Sequence, residues 1–211
     1  MHLKVPFYSN TPDDTHCFQA TLRMVMKYYW PEKEYSWEEL DKVTAKVNGM
    51  GTWPFAGNIW LAENGMEVKV IQMFDNQRFV DEGVEYIKEF AGEQVARWQQ
   101  SHSDISQECV LAKESIKKIP QETRTPTIED IKKYLDGGWI PTCNVNSWVL
   151  DGKEGYAGHK IAIIGYDDAG LYLHNPGLPP RENQHVSYKA FEKAWAYPTK
   201  QIKNLTLYRA K

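Results

Sequence analysis

The chain has 211 residues, 42% of them hydrophobic and 13% aromatic, and a formal net charge of −3. That length suits one domain, or one domain with a sizeable insertion, and the charge balance leaves no footprint for nucleic acid. No apolar run approaches the roughly 20 residues of a membrane-spanning helix, and Met1-His2-Leu3-Lys4-Val5-Pro6 lacks the apolar stretch of a signal peptide.

Residues 3–8 alternate weakly and read as a short strand. A polar turn, Asp13-Asp14-Thr15-His16, then feeds a long apolar helix with Cys17 in its first turn and Asp14 or Thr15 as its cap. Cys17, Thr21, Met24 and Tyr28 share one face, while Leu22, Val25, Met26 and Tyr29 cover much of the rest, so this helix belongs inside the protein. Pro31 ends it. Ser36 and Glu39 form a capping box for a second helix with the stripe Trp37, Leu40, Val43 and Val47, stopped by Asn48-Gly49-Met50-Gly51. Residues 55–64 read as a third helix and Val68 to Met73 as a strand.

Residues 75–120 differ in character. Val80, Val84, Ile87, Ala91, Val95 and Trp98 recur at helical spacing, and Ile105, Cys109, Ala112, Ile116 and Ile119 do so again after the polar break 99–103. Two amphipathic helices in a hairpin, inserted within the domain, are expected. Cys109 lies on an apolar stripe and reads as structural; His102, in the break, reads as exposed. Thr127 caps a further helix that Gly137-Gly138 closes. The period then changes to two, with strands over Trp139 to Val149, Lys160 to Tyr166 and Leu171 to Asn175, the last pair joined by the tight turn 167–170. Ser187 caps a helix through Trp195, and Leu205 to Tyr208 closes the chain as a strand. Cys143 falls within a strand and reads as core. Cysteines at 17, 109 and 143 are an odd, scattered set that suits reduced thiols in a cytosol better than a disulfide framework.

A thiol in a helix's first turn sits at the positive end of the macrodipole, which favours thiolate. The plainer alternative is a small buried apolar residue. His159 opens one strand of the 160–175 hairpin and Asn175 ends its partner, so the two lie side by side across the sheet. A thiol nucleophile needs an imidazole to take its proton, and the imidazole needs a third polar group to fix its tautomer. Cys17 precedes His159 by 142 residues and His159 precedes Asn175 by 16, the chain order of papain-like enzymes. Against this, His159 could be a hydrogen-bonded core histidine, Asn175 a turn organiser before Pro176, and Asn10 an ordinary loop residue. A thiolate–imidazole metal site from His16, Cys17 and His159, with His174 near by, is disfavoured because adjacent residues seldom both reach one ion and no C-x-x-C or H-x-x-x-H spacing exists. No metal or organic cofactor is implied. His2 and His185 carry no signal.

Val5-Pro6-Phe7-Tyr8-Ser9-Asn10, Cys17 opening an aromatic-ended helix, Gly158-His159 before an apolar strand, and Asn175-Pro176-Gly177 together resemble a family. It is that of the papain-like peptidases related to bacteriocin-processing, double-glycine leader peptidases. The resemblance runs from about residue 5 to residue 195, with 75–120 as an apparent insertion. It implies an α+β, papain-like fold: an N-terminal helical part packed on a C-terminal antiparallel sheet, with the site in the cleft between. The family's Asp-Cys-Gly-Pro-Ala block is His16-Cys17-Phe18-Gln19-Ala20 here, and Asn175 stands where aspartate is commoner. The family's oxyanion glutamine maps onto Asn10, a shorter amide one residue farther from the cysteine. The resemblance thus implies a cysteine hydrolase acting on a peptide or amide bond, with Cys17 as nucleophile, His159 as base and Asn175 as orienting group, and the cysteine usage adds a cytoplasmic location. The oxyanion would be held by Asn10 and the Cys17 backbone N–H. An inactive peptide-binding relative and an acyltransferase are the alternatives; substrate and oligomeric state stay open.

Overall fold

The computed structural model describes residues 1–211. Helix α1 (Cys17–Tyr29) is followed by α2 (Trp37–Val43) and α3 (Phe55–Glu63), then strand β1 (Met66–Gln72). Next come α4 (Asn76–Glu82), α5 (Val84–Ala91), α6 (Glu93–His102) and α7 (Ile105–Lys118), the short strand β2 (Gln121–Thr123) and α8 (Ile128–Asp136). The C-terminal part holds β3 (Ile140–Asn146), the single turn α9 (Ser147–Leu150), β4 (Gly158–Tyr166), β5 (Gly170–Asn175), β6 (Arg181–Ser187), α10 (Tyr188–Trp195) and β7 (Asn204–Ala210). The seven strands form one sheet in the order β2-β1-β7-β3-β4-β5-β6. Every neighbouring pair is antiparallel except β1 with β2.

Alternation along the strands divides the core in two. Cys143, Val145, Ile161, Ile163, Leu171, Leu173, Leu205 and Leu207 face one side with Phe191 and Trp195 of α10 and Ile131 and Leu135 of α8. Ile140, Ala162, Ile164, Val68 and Tyr208 face the other, against Phe18, Leu22, Val25 and Met26 of α1. A helix apolar on so many sides packs beneath a sheet without leaving an apolar face in water. The capping boxes at Ser36–Glu39 and Thr127–Asp130 form as their spacing predicts, and Ser187 caps α10.

Several expectations are corrected. Residues 3–8 are not a strand: the N-terminus pairs only at His2 with Gly165, at the irregularity in β4, and Pro6 then lacks the N–H a ladder requires. Neither Asp14 nor Thr15 caps α1. His16 is the N-cap and no side chain bonds the first turn, because Asp14 accepts from Asn10 Nδ2 and Thr15 donates to Asp13. Helix α2 ends at Val43, before Val47. The segment 75–120 is helical, but as four helices rather than two, since Gly83 and Gly92 adopt φ of 58° and 88° and break the run at points a side chain disfavours. Strands β2 and β6 were not expected. Segment 75–120 shares an aromatic cluster with the loop before α3 and the start of that helix, in which Trp53 stacks on Phe79 with ring centroids 4.8 Å apart and Phe55, Tyr86, Ile87 and Val95 are buried. No helix is long and apolar enough to cross a membrane.

Candidate active site

Cys17 opens α1, which packs across β4 close to where that strand begins. Its thiol lies against the His159 imidazole and the backbone N–H of Lys160. Burial by itself pushes the thiol up. Contact with His159, the charge of that ring and the Lys160 N–H outweigh burial and hold the thiol below its usual range. The imidazole, only 8% exposed, shows the reciprocal effect. Burial pulls it down, but Cys17 and then Asn175 raise it above the ordinary histidine range. Both shifts run in the direction of a thiolate beside an imidazolium.

The third group is placed by strand register. Ala162 pairs with His174, so Asn175 shares the sheet face of Ile161 and His159 and reaches the latter on the diagonal. His159 Nε2 donates to Asn175 Oδ1 at 2.8 Å. The orientation of that amide is determined at both ends. Gly177 N–H also donates to Oδ1 at 3.1 Å, while Nδ2 donates to Gln184 Oε1 at 3.1 Å. With Nε2 as donor, Nδ1 is the ring nitrogen left for Cys17. A Cβ on Gly177 would stand 3.1 Å from Asn175 Oδ1 and 3.2 Å from His159 Nε2, so glycine lets this turn close over the pair.

Asn10 organises the loop before α1. Its backbone N–H donates to Pro176 O at 2.8 Å, tying the loop to the turn after Asn175. Its Oδ1 accepts from the N–H groups of Thr11 and His16 at 2.9 and 2.8 Å, and Nδ2 donates to Asp14 Oδ1 at 2.7 Å. Asn10 does not line the cavity beside Cys17. The ring of His16 is engaged by Thr11 at 2.7 Å and by Asp41. His174 is fully buried, donates from Nε2 to Val5 O at 2.8 Å and accepts from Asn183 N–H, which makes it a neutral core histidine. Cys143 is buried and its thiol pushed up to about 12, and Cys109 is raised by burial while donating to Phe79 O. His102 is exposed and stacks on Trp98.

A cavity of about 190 Å³ adjoins Cys17 and His159 and runs between the sheet and the insertion. Trp53, Phe74, Phe90 and Trp98 line it from the loops and insertion, and Lys160, Asn144, Thr206 and Asn204 from the sheet. Gln19, fully buried on α1, holds the wall in place by donating to Thr44 and Thr52, both at 2.9 Å. Sequence reasoning overlooked Gln184, Gln19 and Lys160. Only Lys160 carried a local signal, as a lysine opening an otherwise apolar strand directly after the candidate histidine. Gln184 lies in a polar stretch whose strand character the sequence hides.

Residues 2–203 match the Peptidase_C39 like family. Among solved structures, the crystal structure of a double glycine motif protease from an AMS/PCAT transporter, in complex with the leader peptide, is similar with a TM-score of 0.51 at 12% identity. That match covers 100% of this chain and 94% of the other. A putative C39-like peptidase from Bacillus anthracis gives a TM-score of 0.48 at 17% identity, covering 99% and 96%. At these identities the first likeness speaks to fold alone. A search of curated proteins finds no match.

Proposed function

The chain belongs to the Peptidase_C39 like family, and from that premise and the surroundings of Cys17 we propose that it is a cysteine hydrolase of peptide or amide bonds. The observation that carries this reading is the bond from His159 Nε2 to Asn175 Oδ1 at 2.8 Å, made by a ring whose other side meets the Cys17 thiol. In the proposed reaction the Cys17 thiolate attacks the carbonyl carbon, and its electron pair forms the C–S bond. Imidazolium then gives its proton to the leaving amine as the C–N bond breaks. Neutral His159 next takes a proton from water, whose oxygen attacks the thioester and releases the acid and the thiolate. Asn175 keeps the ring in the tautomer and plane this needs.

For the oxyanion we propose the backbone N–H of Cys17, in a helix turn that no side chain caps, and the second Nδ2 hydrogen of Asn10, the first being given to Asp14. The helical insertion, 75–120, is proposed as a cover to the cleft within a single papain-like domain. A peptide is the proposed partner; the leader peptide bound by the double glycine motif protease supports that class of substrate for a shared fold.

The test is alkylation of Cys17 as a function of pH. The thiolate should be populated well below the ~8.5 of a free cysteine, and Cys17 should react near neutrality much faster than Cys109 or Cys143. His159→Ala should slow the reaction and move its profile upward, since the imidazolium no longer offsets burial. A Cys17 that reacts like an ordinary buried thiol, with the same profile in His159→Ala, would refute the hydrolase and leave a peptide-binding relative.

A further inference from the structure

One face of β4 carries Lys160, Ala162 and Ile164, and the latter two are fully buried beneath α1. Lys160 continues that face under the cavity and is itself only 4% exposed. Lysines are almost never buried so completely unless paired. Lys160 makes no salt bridge, and its Nζ has a single long hydrogen bond, to Thr206 Oγ1 at 3.4 Å. Asn144 stands directly opposite it on β3, and the titratable groups near it are the thiols of Cys17 and Cys143. Burial draws its ammonium down to about 8, so the charged form still prevails at neutral pH. The chain thus keeps a buried cation near the Cys17 thiol and supplies it with no carboxylate partner.

We propose that Lys160 is the carboxylate-recognition residue of the cleft, and that the substrate carries a carboxylate on the part that fills the cavity near the bond that is cut. This rests on the hydrolase reading above. Lys160 directly follows His159, and its backbone N–H meets the Cys17 thiol. Its ammonium reaches towards Thr206 on β7 and lines the same cavity as Cys17 and His159, so a carboxylate on it belongs to a substrate group lodged in that cavity. Either an acidic side chain or a chain-terminal carboxylate supplies that chemistry. The aromatic side of the cavity, with Trp53 and Trp98, leaves room for apolar groups elsewhere on the substrate.

The test uses the full chain and two small reagents, iodoacetate and iodoacetamide, which differ as carboxylate and amide, with modification at Cys17 followed by mass mapping. Both react with the same thiolate, so the ratio of their rates cancels any change in Cys17 ionisation. Attraction to the imidazolium is common to all variants that keep His159. In the wild-type protein the iodoacetate-to-iodoacetamide ratio should exceed that of the unfolded chain. Lys160→Met should lower it by about tenfold, and Lys160→Arg should preserve most of it. Lys160→Gln provides the same comparison if the methionine variant does not fold. A ratio unchanged in the neutral variants overturns the proposal, and so does equal slowing of both reagents, which would make Lys160 a support of the thiolate alone. A wild-type Cys17 slow towards both reagents would count against the hydrolase, while the ratio still reports on the lysine. With cleaved peptides, a loss of kcat/KM on Glu→Gln beside the bond identifies a side-chain carboxylate, and a loss on C-terminal amidation identifies a terminal one. Indifference to both contradicts the proposal.

Discussion

Asn175 Nδ2 donates to Gln184 Oε1 at 3.1 Å, while the Gly177 N–H donates to its Oδ1 at 3.1 Å, and the two bonds together turn the amide oxygen towards His159. Gln184 lies on β6, an edge strand paired only with β5, so the edge of the sheet reaches the Cys17–His159 pair through a single amide. Asn175→Asp places a carboxylate oxygen where Nδ2 stood, and Gln184 accommodates it by turning its own amide to donate. The aspartate variant should retain activity within several-fold of wild type. Asn175→Ala frees the imidazole to rotate and should cost about a hundredfold. Gln184→Glu alone keeps an acceptor and should be mild. Combined with Asn175→Asp it opposes two carboxylates, and the pair should lose far more than the separate effects added together. Additive losses in that double-mutant cycle would remove Gln184 from its orienting role.

Trp98 borders the cavity, with its ring edge about Gly158: a Cβ there would come within 3.1 Å of the indole. Phe79, by contrast, is fully buried in the aromatic cluster. Phe79→Ala should destabilise by about 3–5 kcal/mol and lower Tm sharply. Trp98→Ala should shift Tm less and change KM and substrate preference more. If the two variants lower Tm alike and Trp98→Ala leaves substrate preference as it was, the insertion is core rather than a cover to the cleft.

Glu108 is 2% exposed on α7; its Oε1 accepts from Trp53 N–H at 3.0 Å and its Oε2 has no partner. Burial raises its carboxyl to about 7, whereas an unfolded glutamate titrates near ~4.3. The folded state therefore holds more protons than the unfolded chain between those values, and Glu108 makes stability fall as pH rises through that window. Glu108→Gln keeps an acceptor for Trp53 and cannot ionise. Its melting temperature should match wild type at about pH 4 and exceed it above about pH 7, by up to about 3 kcal/mol in stability. Parallel melting curves for the two proteins across that range would show that Glu108 ionises without cost.

Local rules in the sequence reach a long way here. Capping boxes at Ser36–Glu39 and Thr127–Asp130, the all-round apolar surface of α1, and the period-two runs around 160–175 depend on neighbours a few residues apart, which one-dimensional spacing records. The order of Cys17, His159 and Asn175 is likewise legible, because a tight hairpin turns sequence separation into proximity. Helix α7 shows where that ends. Ala112 and Ile119 of its apolar stripe are buried and Cys109 packs on the aromatic cluster, yet Glu108 and Ser115 are buried too and Ile116 is 41% exposed. The face it turns inward is chosen by Trp53 and the cavity, which arrive from more than fifty residues away. Strand β6 and Gln184 are invisible locally for the same reason: a polar edge strand acquires its structure from β5 rather than from a pattern of its own. The sequence by itself determined the apolar helix α1, the capped helices α2, α8 and α10, the β4–β5 hairpin and the order of the three candidate site residues. Tertiary structure alone decided that Gln184 meets the Asn175 amide and that Lys160 lines the cavity without a carboxylate partner, because burial and the pairing of charges are properties of surroundings assembled from distant segments.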